Sequence, residues 1–104
     1  MNILEKKEHY SLLFDFYEEL LTDRQKEYFE AYYFDDMTLQ EIASEFKVSR
    51  NAVFDSLKKV FDTLDDYETK LKLLDKYNKR KALYLKLEEN SQNRELVNEL
   101  RKIE

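Results

Sequence analysis

Apolar residues recur at helical spacing along almost the whole chain, and capping residues rather than glycine or proline punctuate them. Over about 2–21, Ile3, Tyr10, Phe14, Tyr17 and Leu21 repeat, with Leu13, Phe16 and Leu20 beside them. This predicts a first helix with one wide apolar face. Thr22-Asp23-Arg24-Gln25 reads as a helix start, because Thr22 can accept from next-turn N–H groups and Asp23 suits the positive helix end. A second helix carries Tyr28, Phe29, Tyr32 and Tyr33 and stops near Phe34-Asp35-Asp36-Met37, where two aspartates replace a glycine turn. Thr38-Leu39-Gln40-Glu41 is a capping box opening a short helix with Leu39, Ile42, Ala43 and Phe46 inward. Lys47-Val48 makes a tight turn, and Ser49 caps a helix beginning Arg50-Asn51-Ala52-Val53. Two short helices joined so tightly predict a helix-turn-helix over 22–64.

From Ser49 no break signal occurs until Asn90-Ser91-Gln92-Asn93, so one long helix is expected across that span. Leu57, Leu64, Leu71, Asn78 and Leu85 fall seven apart, with Val60, Tyr67 and Leu74 three residues after the first three. Such a heptad seam, with Asn78 in an a-like place, can fix register between paired helices. Leu73, Tyr77, Tyr84 and Leu87 form a second apolar strip, and 93–104 offers Leu96, Val97, Leu100 and Ile103 on one face. The terminal helix can cover one strip; the helix-turn-helix body or a second copy can cover the other. The expectation is a single all-α domain over 1–104. Within it, 65–104 continues the long helix, adds a short terminal helix, and forms the dimerisation region of a homodimer.

Composition narrows the function. The chain has no glycine and no proline, which argues against hairpin-rich β structure and removes phosphate-cradling glycine loops. It has no cysteine, which excludes disulfides and thiolate chemistry. His9 is the only histidine, so no transition-metal ligand set is expected. Ser11, Ser44 and Ser49 lack any sign of a base, and Asp35-Asp36 and Asp65-Asp66 read as a turn and a solvated helix stretch. The chain is therefore expected to be no enzyme and to need no cofactor. No apolar run approaches the ~20 residues of a membrane span, and the N-terminus lacks a secretory pattern; a cytoplasmic location is expected.

The formal net charge of −5 does not invite nucleic acid, but its distribution is uneven. Residues 70–86 carry seven bases (Lys70, Lys72, Lys76, Lys79, Arg80, Lys81, Lys86) against Asp75 alone. One reading is the solvated face of a long helix. The sharper reading is a backbone-binding strip for RNA or DNA formed by Lys70, Lys72, Lys76, Lys79, Arg80 and Lys81, with Tyr77 and Tyr84 stacking on unpaired bases.

The run from Leu21-Thr22-Asp23-Arg24-Gln25 through Glu41-Ile42-Ala43 to Val48-Ser49-Arg50-Asn51-Ala52-Val53 resembles region four of sigma-70-type factors, a helix-turn-helix without a wing. Ile42, Ala43, Val48 and Val53 would make the small core between its two helices. A closer resemblance spans most of the chain. Asp15-Phe16-Tyr17, Leu20-Leu21-Thr22, Tyr32-Tyr33-Phe34-Asp35-Asp36, Val48 to Asp55, and Tyr67-Glu68 with Lys70-Leu71 and Leu73-Leu74 are similar to the YlxM family. That resemblance implies a helix-turn-helix protein with a long C-terminal helix and a role in the signal recognition particle pathway, with components of that particle as partners.

If the module holds DNA, Val53, Leu57, Val60 and Leu64 point inward and leave Arg50, Asn51, Phe54, Asp55, Lys58 and Asp62 outward. Arg50 and Lys58 would meet guanine or phosphate, Asn51 would read adenine, Phe54 would touch a thymine methyl, and Lys59 would help from the side. Phe54 and Asp55 stand where the sigma pattern tends to be basic. Over 22–64, six bases face nine acids, a poor balance for neutralising phosphates. The competing reading is a protein–protein adaptor that binds no nucleic acid.

Overall fold

The computed structural model describes every residue, 1–104. Six α-helices follow in order: α1 Ile3–Tyr17, α2 Asp23–Tyr33, α3 Leu39–Phe46, α4 Arg50–Leu71, α5 Leu73–Glu88 and α6 Arg94–Ile103. One-turn 3₁₀ helices at Glu18–Leu20 and Ser91–Asn93 complete the chain. They fall into two units, Met1–Lys72 and Leu73–Glu104.

Local side chain-to-backbone bonds set the helix starts of the first unit. Thr22 accepts from the Gln25 amide at 3.2 Å while Gln25 accepts from the Thr22 amide at 2.9 Å. Thr38 and Glu41 repeat the exchange, both at 3.1 Å. Ser49 accepts from the Ala52 amide at 3.0 Å and opens α4. The helix ends use left-handed residues that are not glycine. Asp36 (φ 53°) turns the chain out of α2, confirming the role expected of the aspartate pair, and Lys47 (φ 57°) ends α3. Val48 closes that turn with a 3.0 Å bond from its amide to the Ala43 carbonyl.

The core of this unit is aromatic. Phe14 stacks on Phe29 at 4.4 Å between ring centroids, Phe29 stacks on Tyr33 at 4.7 Å, and Phe61 meets Tyr33 edge-on at 5.6 Å. Val53, Leu57, Val60 and Leu64 of α4 are all buried, as the wheel predicts, and α1, α2 and α3 each pack on that helix. Two tyrosines tie α1 to α4: Tyr10 donates to Asp65 at 2.9 Å and Tyr17 to Glu68 at 2.7 Å. Burial, helped by the Asp65 carboxylate, pushes the Tyr10 phenol up to about 12.

Four expectations need correction. The helix beginning at Arg50 does not run unbroken to residue 90: it ends at Leu71, and Lys72 is left-handed (φ 56°, ψ 33°), its amide bonded back to the Glu68 carbonyl at 2.9 Å. The left-handed residue ends the i→i−4 ladder of α4, so the seven-residue series is not carried on one continuous helix. Leu57 and Leu64 serve the core of the first unit, whereas Leu71, Asn78 and Leu85 are exposed. Val48, expected in the small core with Ile42, Ala43 and Val53, is exposed, because the turn through Lys47 directs it away from the packed face. Ile3 is also exposed, near the start of α1.

In the second unit α5 and α6 form an antiparallel hairpin. The Tyr84 hydroxyl donates to Glu104 at 2.7 Å, Arg80 also pairs with Glu104, and Arg101 pairs with Glu88 while lying over the Tyr84 ring. The terminal helix thus meets Tyr84 of the second strip, while Leu73 and Leu87 of that strip stay exposed. Val97 is the one buried residue of α6, and Leu74 the one of α5.

Candidate nucleic-acid interface

The α3–turn–α4 geometry is set from three sides. The Thr38 capping box starts α3, Lys47 absorbs the reversal, and Ser49 starts α4. Beneath the turn, Ile42, Ala43, Val53 and Leu57 pack with Tyr28 and Ala31 of α2. Ala43 is almost wholly buried here, where a larger side chain would force the helices apart. On the far side, Arg24 lies over the Phe46 ring at 4.9 Å and closes the α2–α3 corner.

This frame leaves Arg50, Asn51, Phe54, Lys58 and Lys59 exposed on the first three turns of α4. Arg50, Lys58 and Lys59 form no ion pair within the chain. Asp55 is exposed among them, and Lys59 lies about half a turn round the helix from Arg50.

The second basic set is divided between the two units. Lys70 and Lys72 belong to the first unit, and Lys76, Lys79, Arg80 and Lys81 to the second. Lys70 is bonded to Asp66 at 2.9 Å, which holds its ammonium above the usual range. Lys79 pairs with Asp75 at 3.0 Å, and Arg80 with Glu104. Lys72 ends α4 in a left-handed conformation and its side chain is exposed. Lys76 and Lys81 remain exposed. Half of this strip therefore has its charge already answered within the chain.

Sequence reasoning missed a groove beside the α4 face. Tyr32, Leu39, Phe54, Leu57, Lys58 and Phe61 line a largely apolar cavity of about 330 Å³, with Phe54 half exposed at its rim. The sequence signal is Phe54 itself, an aromatic on the outer face of α4 where the sigma pattern tends to be basic. Leu57, Lys58 and Phe61 line the groove from α4 as well, but Tyr32 comes from α2 and Leu39 from α3, so only the folded chain assembles it.

No helix of the protein is long and apolar enough to cross a membrane. A family described as "Putative helix-turn-helix protein, YlxM / p13 like" (UPF0122) matches residues 4–103. A UPF0122 protein of Listeria monocytogenes serovar 1/2a is 50% identical over 86 residues, covering 83% of this chain and 78% of the relative. One from Listeria welshimeri serovar 6b matches to the same extent. A UPF0122 protein of Bacillus thuringiensis strain Al Hakam is 47% identical over 97 residues, 93% of this chain and 88% of the relative. With the all-helical fold, the cap-defined turn and a match over nearly its whole length, this chain belongs to the UPF0122 family of YlxM/p13-like helix-turn-helix proteins.

Proposed function

We propose that the protein is a DNA-binding regulatory protein that acts as a homodimer and presents the N-terminal turns of α4 to the major groove. In this reading Arg50 contacts guanine or phosphate, Asn51 reads adenine, Phe54 lies against a thymine methyl, and Lys58 and Lys59 hold the backbone. The observation that carries it is the contrast in pairing: the three bases of the α4 face are exposed and have no internal partner, whereas half the C-terminal strip does. A place in the signal recognition particle pathway rests on the family resemblance alone.

Fluorescence anisotropy with duplex DNA tests this across a salt series. Binding should weaken steeply with salt, and Arg50→Ala and Lys58→Ala should each flatten the log–log slope by about one. No binding at low salt, or binding that both substitutions leave unchanged, removes the DNA reading.

A second reading has its own support. The first unit carries ten Lys and Arg against seventeen Asp and Glu, which repels phosphate, and Phe54 opens on an apolar groove. Both suit a protein adaptor of the signal recognition particle machinery that binds no nucleic acid. Under that reading Phe54→Ser weakens binding to the purified particle GTPase, and Arg50→Ala leaves it unchanged.

A further inference from the structure

The hairpin of α5 and α6 has too little interior to stand by itself. It comprises Leu73–Glu104, and only Leu74 and Val97 are buried within its span. Units below about 40 residues ordinarily need a staple, a metal or an oligomeric partner, and this one has no cysteine. Its large side chains face outward instead: Leu96 is 60% exposed and Ile103 82%, and Leu83, Leu87 and Leu100 are also exposed.

These five side chains share one face. Arg80, Tyr84 and Glu88 mark the side of α5 that meets α6, and Arg101 and Glu104 mark the side of α6 that meets α5. At about 100° per residue, Leu83 and Leu87 fall on one flank of the α5 contact line. Leu96, Leu100 and Ile103 fall on one flank of the α6 line. Because the helices run antiparallel, the two flanks lie on the same side of the hairpin. Leu85 and Lys81 lie on the other.

We infer that this face, Leu83 and Leu87 with Leu96, Leu100 and Ile103, is where a second copy of the chain docks, closing an antiparallel four-helix bundle. The inference rests on the homodimer reading above and adds the surface and its arrangement. A two-fold axis along the helices sets α5 of each copy on α6 of the other; an axis across them sets α5 on α5. Charge selects the first. The outer margin of α5 carries Lys86, beside Lys79 whose charge Asp75 already answers, and the outer margin of α6 carries Glu99. Placing α5 on α6 brings opposite signs together along both edges, whereas α5 on α5 opposes lysine to lysine. Neither Lys86 nor Glu99 has an ion-pair partner within its own chain. The interface buries ten large aliphatic side chains and is self-complementary, as a closed two-fold contact requires.

Sedimentation equilibrium of the full chain at micromolar concentration tests this. The expected result is a dimer that Leu83→Glu and Leu100→Glu convert to monomer, with far-ultraviolet circular dichroism losing at most the share of helix that α5 and α6 contribute while the signal of α1 to α4 remains. Lys86→Glu or Glu99→Lys alone should weaken the dimer about two- to fivefold, and the double exchange should restore it. A monomeric wild-type chain overturns both the homodimer reading and the interface. A dimer unmoved by Leu83→Glu and Leu100→Glu overturns the interface alone. A double exchange that fails to restore association overturns the α5-on-α6 arrangement.

Discussion

The two units of this protein solve the same problem with different materials. The first encloses rings: Phe14, Phe29, Tyr33 and Phe61 contact one another around α4, and nearly every large residue on the inward faces is removed from water. The second holds its helices together mainly at their polar edges, through Arg80, Glu104, Tyr84, Arg101 and Glu88, and leaves its leucines outside. Ion pairs this exposed contribute little each, whereas a buried aromatic contributes several kcal/mol. The difference teaches where autonomy lies. The helix-turn-helix unit has the core of a small domain, and the hairpin buries only Leu74 and Val97.

Three measurements bear on that contrast. The largest effect is expected from Phe29→Ala, which removes the ring shared by two stacks and should cost about 3–5 kcal/mol in urea unfolding. A loss below about 1 kcal/mol would mean that the aromatic cluster is not what holds the first unit. Next come the left-handed lysines. Lys47→Gly and Lys72→Gly should each stabilise the protein by about 1 kcal/mol, because glycine takes positive φ without a Cβ clash. Thermal midpoints should rise, and a fall for Lys72→Gly would show that its side chain does more than end α4. The smallest effect concerns pH. The Tyr10 phenol stands raised to about 12 in the folded chain, so its neutral form is favoured by folding. Its contribution is complete below about pH 10 and is lost as pH rises toward 12. Tyr10→Phe should flatten the fall in stability over that window, and an unchanged slope would remove Tyr10 as its source.

Legibility in the sequence followed the range of the interactions. Thr22, Thr38 and Ser49 act on backbone three residues away, so the helix starts, and with them the helix-turn-helix, could be read directly. The inward set of α4 was equally plain, because one helix's period encodes it. The break at Lys72 was not. Its usual signals are glycine and proline, the chain has neither, and only Lys70 in the last turn and Asp75 in the next first turn hint at an end and a start. The exposed residues of the candidate α4 face were readable, but the groove beside Phe54 was not, since it depends on Tyr32 and Leu39 from other helices. Val48 was misread because its neighbour's left-handed turn, not its own hydrophobicity, decides where it points.

The absence of glycine also reaches the state that no structure depicts. Every residue of this chain carries a Cβ, so the unfolded ensemble is narrower than that of an ordinary sequence of the same length. Folding starts from fewer conformations and surrenders less backbone entropy. The strain at Asp36, Lys47 and Lys72 is the local counterpart of that gain: three tight reversals are made by residues that resist them, in a chain that elsewhere has little disorder to give up.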